Sequence, residues 1–184
     1  MAILALAAIF AWRSQVPPAP APSAIGGPFQ LIADNGARVD QRILTGKWSA
    51  VYFGYSFCPD VCPTTLAALA QAIAQLGPKA KALQVVFITV DPERDTPAQL
   101  RAYLASPSFP KGAIGLTGSE AEIKAVAGAY HVYYSRHQEA SGPYSVDHTS
   151  IIYLMDPTGR FVRPLATGTP ADMARQIAEA MSGR

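Results

Sequence analysis

The sequence predicts one domain of the mixed α/β class, with helices on both faces of a sheet and a β-hairpin at the start. Short apolar runs typical of buried strands alternate with longer segments whose apolar residues recur at helical spacing. The pattern then ends in a strand pair and a helix, as expected for a mixed sheet covered by helices. The length of 184 residues, 49% of them hydrophobic, suits a single domain with a substantial core.

The individual elements follow from local signals. The Asn35-Gly36 pair is a two-residue turn signal, so segments 28–34 and 37–43 are predicted to form the hairpin. Proline, glycine and polar clusters separate the other segments. The resulting outline is thioredoxin-like. Residues 49–55, 84–90, 113–116, 131–136, 148–155 and 161–165 are predicted as strands, and residues 64–76, 96–105, 120–129 and 170–181 as helices.

Residues 1–24 are predicted to be separate from the domain, which occupies residues 25–184. The apolar run 1–12 is shorter than the roughly 20 residues that cross a bilayer, and no basic region precedes it as in a signal peptide. We interpret it as a truncated membrane anchor; a degenerate signal peptide and a disordered leader remain alternatives. Residues 16–23 contain four prolines and are predicted to form a semi-rigid spacer between the membrane and the domain.

Composition excludes several function classes. The 15 Lys and Arg residues against 13 Asp and Glu residues are scattered along the chain, which excludes the basic patch of a nucleic-acid-binding protein. With only two cysteines, the chain has no disulfide framework of the kind that holds small secreted domains together. A peroxidase is also excluded, because no isolated peroxidatic cysteine is present.

The chemistry of the sequence concentrates in Cys58 and Cys62, which lie between a predicted strand and its following helix. Backbone N–H groups at a helix start favour the thiolate form of cysteine. A structural disulfide across so short a loop would stabilise the fold little. Metal ligation is therefore favoured, and a reversible redox pair remains the alternative.

His148 is the candidate for a third metal ligand. It follows Asp147 and precedes an apolar strand, in the place where a thioredoxin carries a cis-proline facing its cysteines. Two thiolates and one imidazole suit Cu(I), and they can also bind Cu(II) or Zn(II). A hydrogen-bonded structural histidine is the alternative for His148, and it is the expected role of His131 and His137.

Three sequence blocks resemble the SCO/SenC family, the copper chaperones of cytochrome c oxidase assembly. The blocks are residues 52–63, 90–97 and 147–149, and the resemblance extends over residues 25–184. It implies a thioredoxin-like, membrane-anchored domain that faces the periplasm or the intermembrane space. Cys58, Cys62 and His148 match the copper ligands of the family, with a Cys58–Cys62 disulfide in the oxidised form.

The resemblance also implies the partners and leaves two functions open. In the first, the protein is not an enzyme and delivers copper to the binuclear site of an oxidase subunit, with that subunit or another copper chaperone as its partner. In the second, it is a thiol-disulfide oxidoreductase that reduces the cysteines of a copper-site protein. His148 discriminates between the two, because only a three-coordinate copper site requires the imidazole.

Two aspartates are candidates for supporting the ligands. Asp91 follows a buried strand at the same sheet end as the cysteines, so it is expected either to accept a hydrogen bond near the site or to pair with Arg94. Asp147 precedes His148 directly. In the same blocks, Asp95 or Thr96 is expected to cap the next helix.

The remaining polar and aromatic residues of the first block are expected to have structural roles. Asp60 lies between the cysteines and should be exposed. The aromatic residues around it are expected to form core and site wall; they are Tyr52, Phe53, Tyr55 and Phe57.

Overall fold

Seven strands form the central sheet of the computed structural model, which describes residues 25–139, 142–165 and 168–183. The strands within these ranges are β1 (Gln30–Ala33), β2 (Arg38–Asp40), β3 (Trp48–Gly54), β4 (Leu83–Thr89), β5 (Ile114–Thr117), β6 (Tyr134–His137), β7 (Ser145–His148), β8 (Ile152–Met155) and β9 (Phe161–Leu165). The α-helices are α1 (Val61–Gln75), α2 (Pro97–Leu104), α3 (Glu120–Ala129) and α4 (Pro170–Met181), and short 3-10 helices span Gln41–Leu44 and Gly77–Ala82.

The predicted anchor and proline-rich spacer, residues 1–24, lie outside the described residues. In the ranges that the structure describes, no helix combines the length and the apolar character needed to cross a membrane.

The strand order across the sheet is β2-β1-β5-β4-β3-β8-β9. The three central strands β3, β4 and β5 run parallel, because each is joined to the next through a helix. The flanking strands pair antiparallel with their neighbours. The carboxyl ends of β3 and β4 therefore lie at the same edge of the sheet, and the predicted mixed α/β class is confirmed.

The predicted N-terminal hairpin is present as β1 and β2. Gly36 has φ +86°, a left-handed conformation that glycine adopts without steric cost. The Asn35 side chain accepts a hydrogen bond from the Ala37 N–H at 2.9 Å and closes the turn. The hairpin joins the sheet through antiparallel pairing of β1 with β5.

Helices cover both faces of the sheet. α1 packs against α4, and the Cys62 sulfur of α1 approaches Gly54 on one face of the sheet. Tyr130, directly after α3, contacts Phe53 with ring centroids 5.2 Å apart. Tyr52 pairs with Phe87 in register and precedes Phe53, so Tyr52 and Phe53 point to opposite faces. The fully buried core is therefore continuous through the sheet.

The segment between α3 and β9 differs from the prediction. Residues 131–136 and 148–155 were predicted as an edge strand and one long strand, whereas β6 and β7 pair only with each other in a separate hairpin. His131 has φ +55°, which delays the start of β6. Thr149 bonds back to Tyr133 through its N–H at 2.9 Å and its hydroxyl at 3.1 Å. The chain therefore leaves the hairpin after His148 and enters the central sheet only at Ile152.

A chain that begins at Ile25 should fold with nearly unchanged stability. The Gly26 N–H donates to the Ala129 carbonyl at 2.8 Å, so the domain is tied down from its first described residues. We expect a change in Tm below about 2 °C, as for substitutions outside the core. A chain that begins at Gln30 is the control, because it loses the buried Phe29 and should lose about 3 kcal/mol or more. A large loss of stability in the chain from Ile25 would show that residues 1–24 pack on the domain.

Candidate metal centre

The carboxyl edge of the sheet carries both cysteines. β3 ends at Gly54, and the loop that follows places Cys58 ahead of α1 and Cys62 in its first turn. The Cys58 N–H donates to the Tyr55 carbonyl at 3.3 Å, which folds the loop back on the end of β3. The two sulfurs therefore meet at the N-terminal end of a 15-residue helix.

Gly54 allows the Cys62 sulfur to approach the sheet. A Cβ at this position would lie 2.8 Å from Cys62 Sγ and 2.9 Å from a ring carbon of Phe87. Both distances are shorter than van der Waals contact, so a side chain at position 54 would displace the sulfur or the ring. The absence of a side chain is thus part of the geometry of the site.

The two thiols differ in exposure and in pKa. Cys62 is fully buried, whereas Cys58 is partly exposed and accepts a hydrogen bond from the Cys62 N–H at 3.4 Å. The contact with the Cys62 thiol, aided by His148, holds the pKa of Cys58 well below the ordinary range of a thiol. The same contact and burial raise the pKa of Cys62. Cys58 therefore loses its proton first, and the thiolate is the form that binds metals or attacks disulfides.

His148 ends β7 and faces the cysteines. Its Nε2 lies 3.3 Å from Cys62 Sγ, and its Nδ1 lies 3.2 Å from the Thr149 carbonyl oxygen. Since a carbonyl only accepts, this second hydrogen bond places a proton on Nδ1 and leaves Nε2 as the nitrogen that faces the sulfurs. The rings of Tyr52 and Tyr55 pack edge-on against the imidazole, with centroids 6.4 Å and 6.0 Å away. The imidazole is thus held with its donor atom toward the sulfurs.

The ligand atoms of Cys58, Cys62 and His148 lie within 4.8 Å of one another. A pocket of about 280 Å³ is lined by loop residues 55 and 58–61 on one side and by β7 on the other. Two sulfurs and one imidazole nitrogen at this separation suit a single thiophilic ion that a partner molecule can reach.

Asp95 supports the cysteine loop, a role that the sequence did not reveal. It is fully buried and accepts hydrogen bonds from the Ser56 N–H at 3.0 Å, the Ser56 hydroxyl at 2.5 Å and the Thr89 hydroxyl at 2.6 Å. Burial raises its pKa. The helix cap is Thr96 alone, which accepts from the Gln99 N–H. The one sequence signal for this role is that Thr96 alone can cap the helix, so Asp95 beside it is not needed as a cap.

Asp91 is also fully buried, and the structure shows the pairing with Arg94. Its other oxygen accepts a hydrogen bond from the Tyr144 hydroxyl at 2.7 Å and lies 3.5 Å from an Arg136 nitrogen. These partners connect the end of β4 to the hairpin that carries His148. Asp91 therefore ties the hairpin that ends in His148 to the end of β4.

Asp147 lies on the face of the hairpin opposite to His148, because successive strand residues alternate. Its side chain is 73% exposed, and a carboxylate oxygen lies 3.1 Å from His137 Nε2. This placement gives Asp147 a partner on the hairpin, and Asp147 also lines the pocket that contains Cys58 and His148. It also gives His137 an exposed structural contact.

The first block behaves largely as expected. Asp60 is exposed and accepts from the Thr64 N–H at 3.1 Å through its carbonyl, which opens α1. Tyr52 and Phe53 are fully buried and Tyr55 nearly so, whereas Phe57 is 49% exposed at the rim of the site.

A Cys-Cys-His group at the first helix of a thioredoxin-like domain defines a class of protein that can bind a thiophilic metal or cycle a disulfide. The sequence model of the SCO1/SenC family matches residues 17–182, and the chain belongs to this family. The chain is 48% identical over 147 residues to the mitochondrial SCO1 homolog 1 of Arabidopsis thaliana. That match covers 79% of this chain and 43% of the relative, so the chain spans less than half of that protein's length.

Solved structures show the same fold. ScoI of Bradyrhizobium japonicum with copper bound is 44% identical, with a TM-score of 0.76 over 84% of this chain and 98% of that one. ScoI of Arabidopsis thaliana with copper bound is 41% identical, with a TM-score of 0.82 over 87% and 99% of the two chains. BsSco, a member of the Sco family of cytochrome c oxidase assembly proteins with a disulfide switch, is 25% identical, with a TM-score of 0.67 over 88% and 95%. The thioredoxin-like outline and the family resemblance are confirmed.

Replacing Gly54 by alanine should disturb both the site and the fold. The new Cβ would be 2.8 Å from Cys62 Sγ in a close-packed region, so we expect Gly54→Ala to lower the free energy of unfolding by about 1–3 kcal/mol. Urea denaturation of the reduced protein measures the change.

Gly128→Ala is the matched control, because a Cβ there meets nothing within 4 Å and the residue lies inside α3. We expect this variant to gain up to about 1 kcal/mol from helix propensity. If Gly54→Ala is as stable as the unsubstituted chain, the close approach at the end of β3 is not a constraint.

Proposed function

We propose that this protein binds one copper ion through Cys58, Cys62 and His148 and delivers it to the binuclear copper site of a cytochrome c oxidase subunit. The observation that carries the proposal is the convergence of the three ligand atoms within 4.8 Å. Family membership and the copper-bound relatives support the choice of metal. We propose no enzymatic activity for this function.

The donor set explains how copper is held and released. Two thiolates bind Cu(I) strongly, and the imidazole supplies the third donor that Cu(II) needs. Each cysteine must give up its proton to bind, and His148 offers Nε2, because its Nδ1–H donates to the Thr149 carbonyl. Because Cys58 is partly exposed beside the pocket, a partner's thiolate or imidazole can reach the ion and exchange ligands there.

The oxidation state of the cysteines then controls binding. Oxidation of Cys58 and Cys62 to a disulfide releases two electrons and two protons to an acceptor and removes both thiolate ligands. A disulfide sulfur is a poor ligand, so the oxidised protein should bind no copper. Equal copper loading of oxidised and reduced protein would contradict this control.

The second candidate function is thiol-disulfide exchange with the cysteines of a copper-site protein. The lowered pKa and partial exposure of Cys58 favour it, because an accessible thiolate can attack a partner's disulfide. The disulfide switch named for BsSco, which is 25% identical to this chain, supports this candidate. In this function the imidazole of His148 has no required part.

We further propose that residues 1–24 tether the domain to a membrane, with the domain in the periplasm or the intermembrane space. The apolar run and the proline-rich spacer support this arrangement, and so does the mitochondrial location in the name of the Arabidopsis relative. The copper-site subunit of the oxidase or another copper chaperone is the proposed partner.

His148→Ala separates the two functions. Removal of the imidazole should weaken Cu(II) binding by more than about a hundredfold, since losing only a neighbour that orients a ligand costs about 10–100-fold. Disulfide formation needs the two sulfurs alone, so thiol titration should show normal oxidation and reduction. Cu(II) affinity is measured by equilibrium dialysis, and oxidase activity is measured in cells that carry the variant. We expect the variant to lose Cu(II) binding in dialysis and the cells to lose oxidase activity.

His137→Ala is the control, because His137 lies on the same hairpin and is exposed. It should bind copper and support oxidase assembly normally. Normal oxidase activity with His148→Ala would overturn delivery and favour the oxidoreductase.

A further inference from the structure

Arg94 lies between the two segments that carry the candidate ligands. One segment is the loop 55–60 with Cys58, and the other is the hairpin of β6 and β7, which ends in His148. The guanidinium belongs to neither segment, since Arg94 lies in the connection between β4 and α2. Its side chain is only 16% exposed and contacts both.

On the hairpin side, Arg94 holds Tyr144 in two ways. Its Nη1 donates to the Tyr144 carbonyl at 3.0 Å, and the guanidinium carbon lies 3.8 Å from the centroid of the Tyr144 ring. Asp91 completes the arrangement, because it pairs with Arg94 and accepts from the Tyr144 hydroxyl. Tyr144 directly precedes β7, so these contacts fix the start of the strand that ends in His148.

On the cysteine side, the same guanidinium lies against the aromatic residues of the loop. Its carbon is 4.9 Å from the ring centroid of Phe57, the residue before Cys58, and 5.7 Å from that of Tyr55. The Tyr55 hydroxyl accepts a hydrogen bond from the Val146 N–H at 3.3 Å, which joins the loop to β7 directly. Arg94 therefore packs over a junction where the two segments meet.

We propose that Arg94 is a positioning residue that holds the cysteine loop and the His148 hairpin at the spacing that three-coordinate copper binding requires. The inference rests on the proposed copper function for its consequence and on the contacts of Arg94 for its geometry. A planar guanidinium can stack on aromatic rings while it donates to a carboxylate and a carbonyl, and a lysine ammonium cannot do all of this at once.

The test compares Arg94→Lys with Arg136→Lys. Arg94→Lys keeps a positive charge beside the buried Asp91 and removes the planar guanidinium that stacks on the Tyr144 ring. Arg136 is the matched control, because it also pairs with Asp91 and packs 5.1 Å from the Tyr144 ring, yet its described contacts do not reach the cysteine loop. Two measurements are made: hydrogen exchange of the Val146 amide in the reduced, metal-free protein, and Cu(II) affinity with its sulfur-to-copper charge-transfer band.

For Arg94→Lys we expect Val146 to exchange at least about tenfold faster and Cu(II) affinity to fall by about 10–100-fold, with a weakened charge-transfer band. Arg136→Lys should change neither value beyond a factor of about two. Unchanged Val146 exchange or unchanged Cu(II) affinity in Arg94→Lys overturns the proposal, and so does an equal effect of Arg136→Lys.

If Arg94→Lys does not fold, Phe57→Leu decides. It removes the exposed ring from the cysteine side and leaves the pair of Asp91 and Arg94 intact. Faster exchange of Val146, which lies on the other segment, supports the proposal, and an unchanged rate overturns it. Failure of the unsubstituted protein to bind copper would contradict the proposed function alone, because the exchange measurement uses no metal.

Discussion

The close approach of the Cys62 sulfur to the end of β3 is the contact on which the rest of the site depends. It requires a residue without a side chain at Gly54 and a helix whose first turn begins directly over the sheet edge. Once Cys62 is buried there, its N–H reaches Cys58 and its sulfur faces His148 Nε2 at 3.3 Å. The chemistry of the three side chains therefore follows from backbone placement at the end of β3. Because β3 and β4 are parallel neighbours, the connection that follows β4 lies beside the same strand end.

Two buried carboxylates hold the segments around this point. Buried charges are costly unless they are paired or hydrogen-bonded, so each of them restricts the groups that surround it. Asp95 accepts hydrogen bonds from the backbone N–H and the hydroxyl of Ser56 and so fixes the loop before Cys58. Asp91 pairs with Arg94 and holds Tyr144 at the base of the His148 hairpin. The candidate metal centre thus combines polar contacts from the β4 connection with the packing of the Tyr52 and Tyr55 rings on His148.

The sequence was sufficient for the central strands and helices, because buried strands read as short apolar runs and the helices show clear apolar periodicity. It was also sufficient to predict that Cys58, Cys62 and His148 lie close together, since each lies at an element boundary that topology brings to one sheet edge. The sequence did not predict that the strand is interrupted between His148 and Ile152. Residues 148–155 were predicted as a single strand, and the interruption depends on hydrogen bonds between Thr149 and Tyr133. The role of Asp95 was equally hidden, since its partner Ser56 is 39 residues away and nothing local links the two.

In the proposed function, both sulfurs and the imidazole bind copper together. X-ray absorption at the copper edge of the reduced protein, loaded with one equivalent of Cu(I), counts the donor atoms directly. We expect two sulfur donors and one nitrogen donor with the multiple-scattering pattern of an imidazole, and loss of that pattern in His148→Ala. A spectrum with two sulfurs and no imidazole in the unsubstituted protein, or one that the alanine substitution leaves unchanged, would contradict binding by all three side chains.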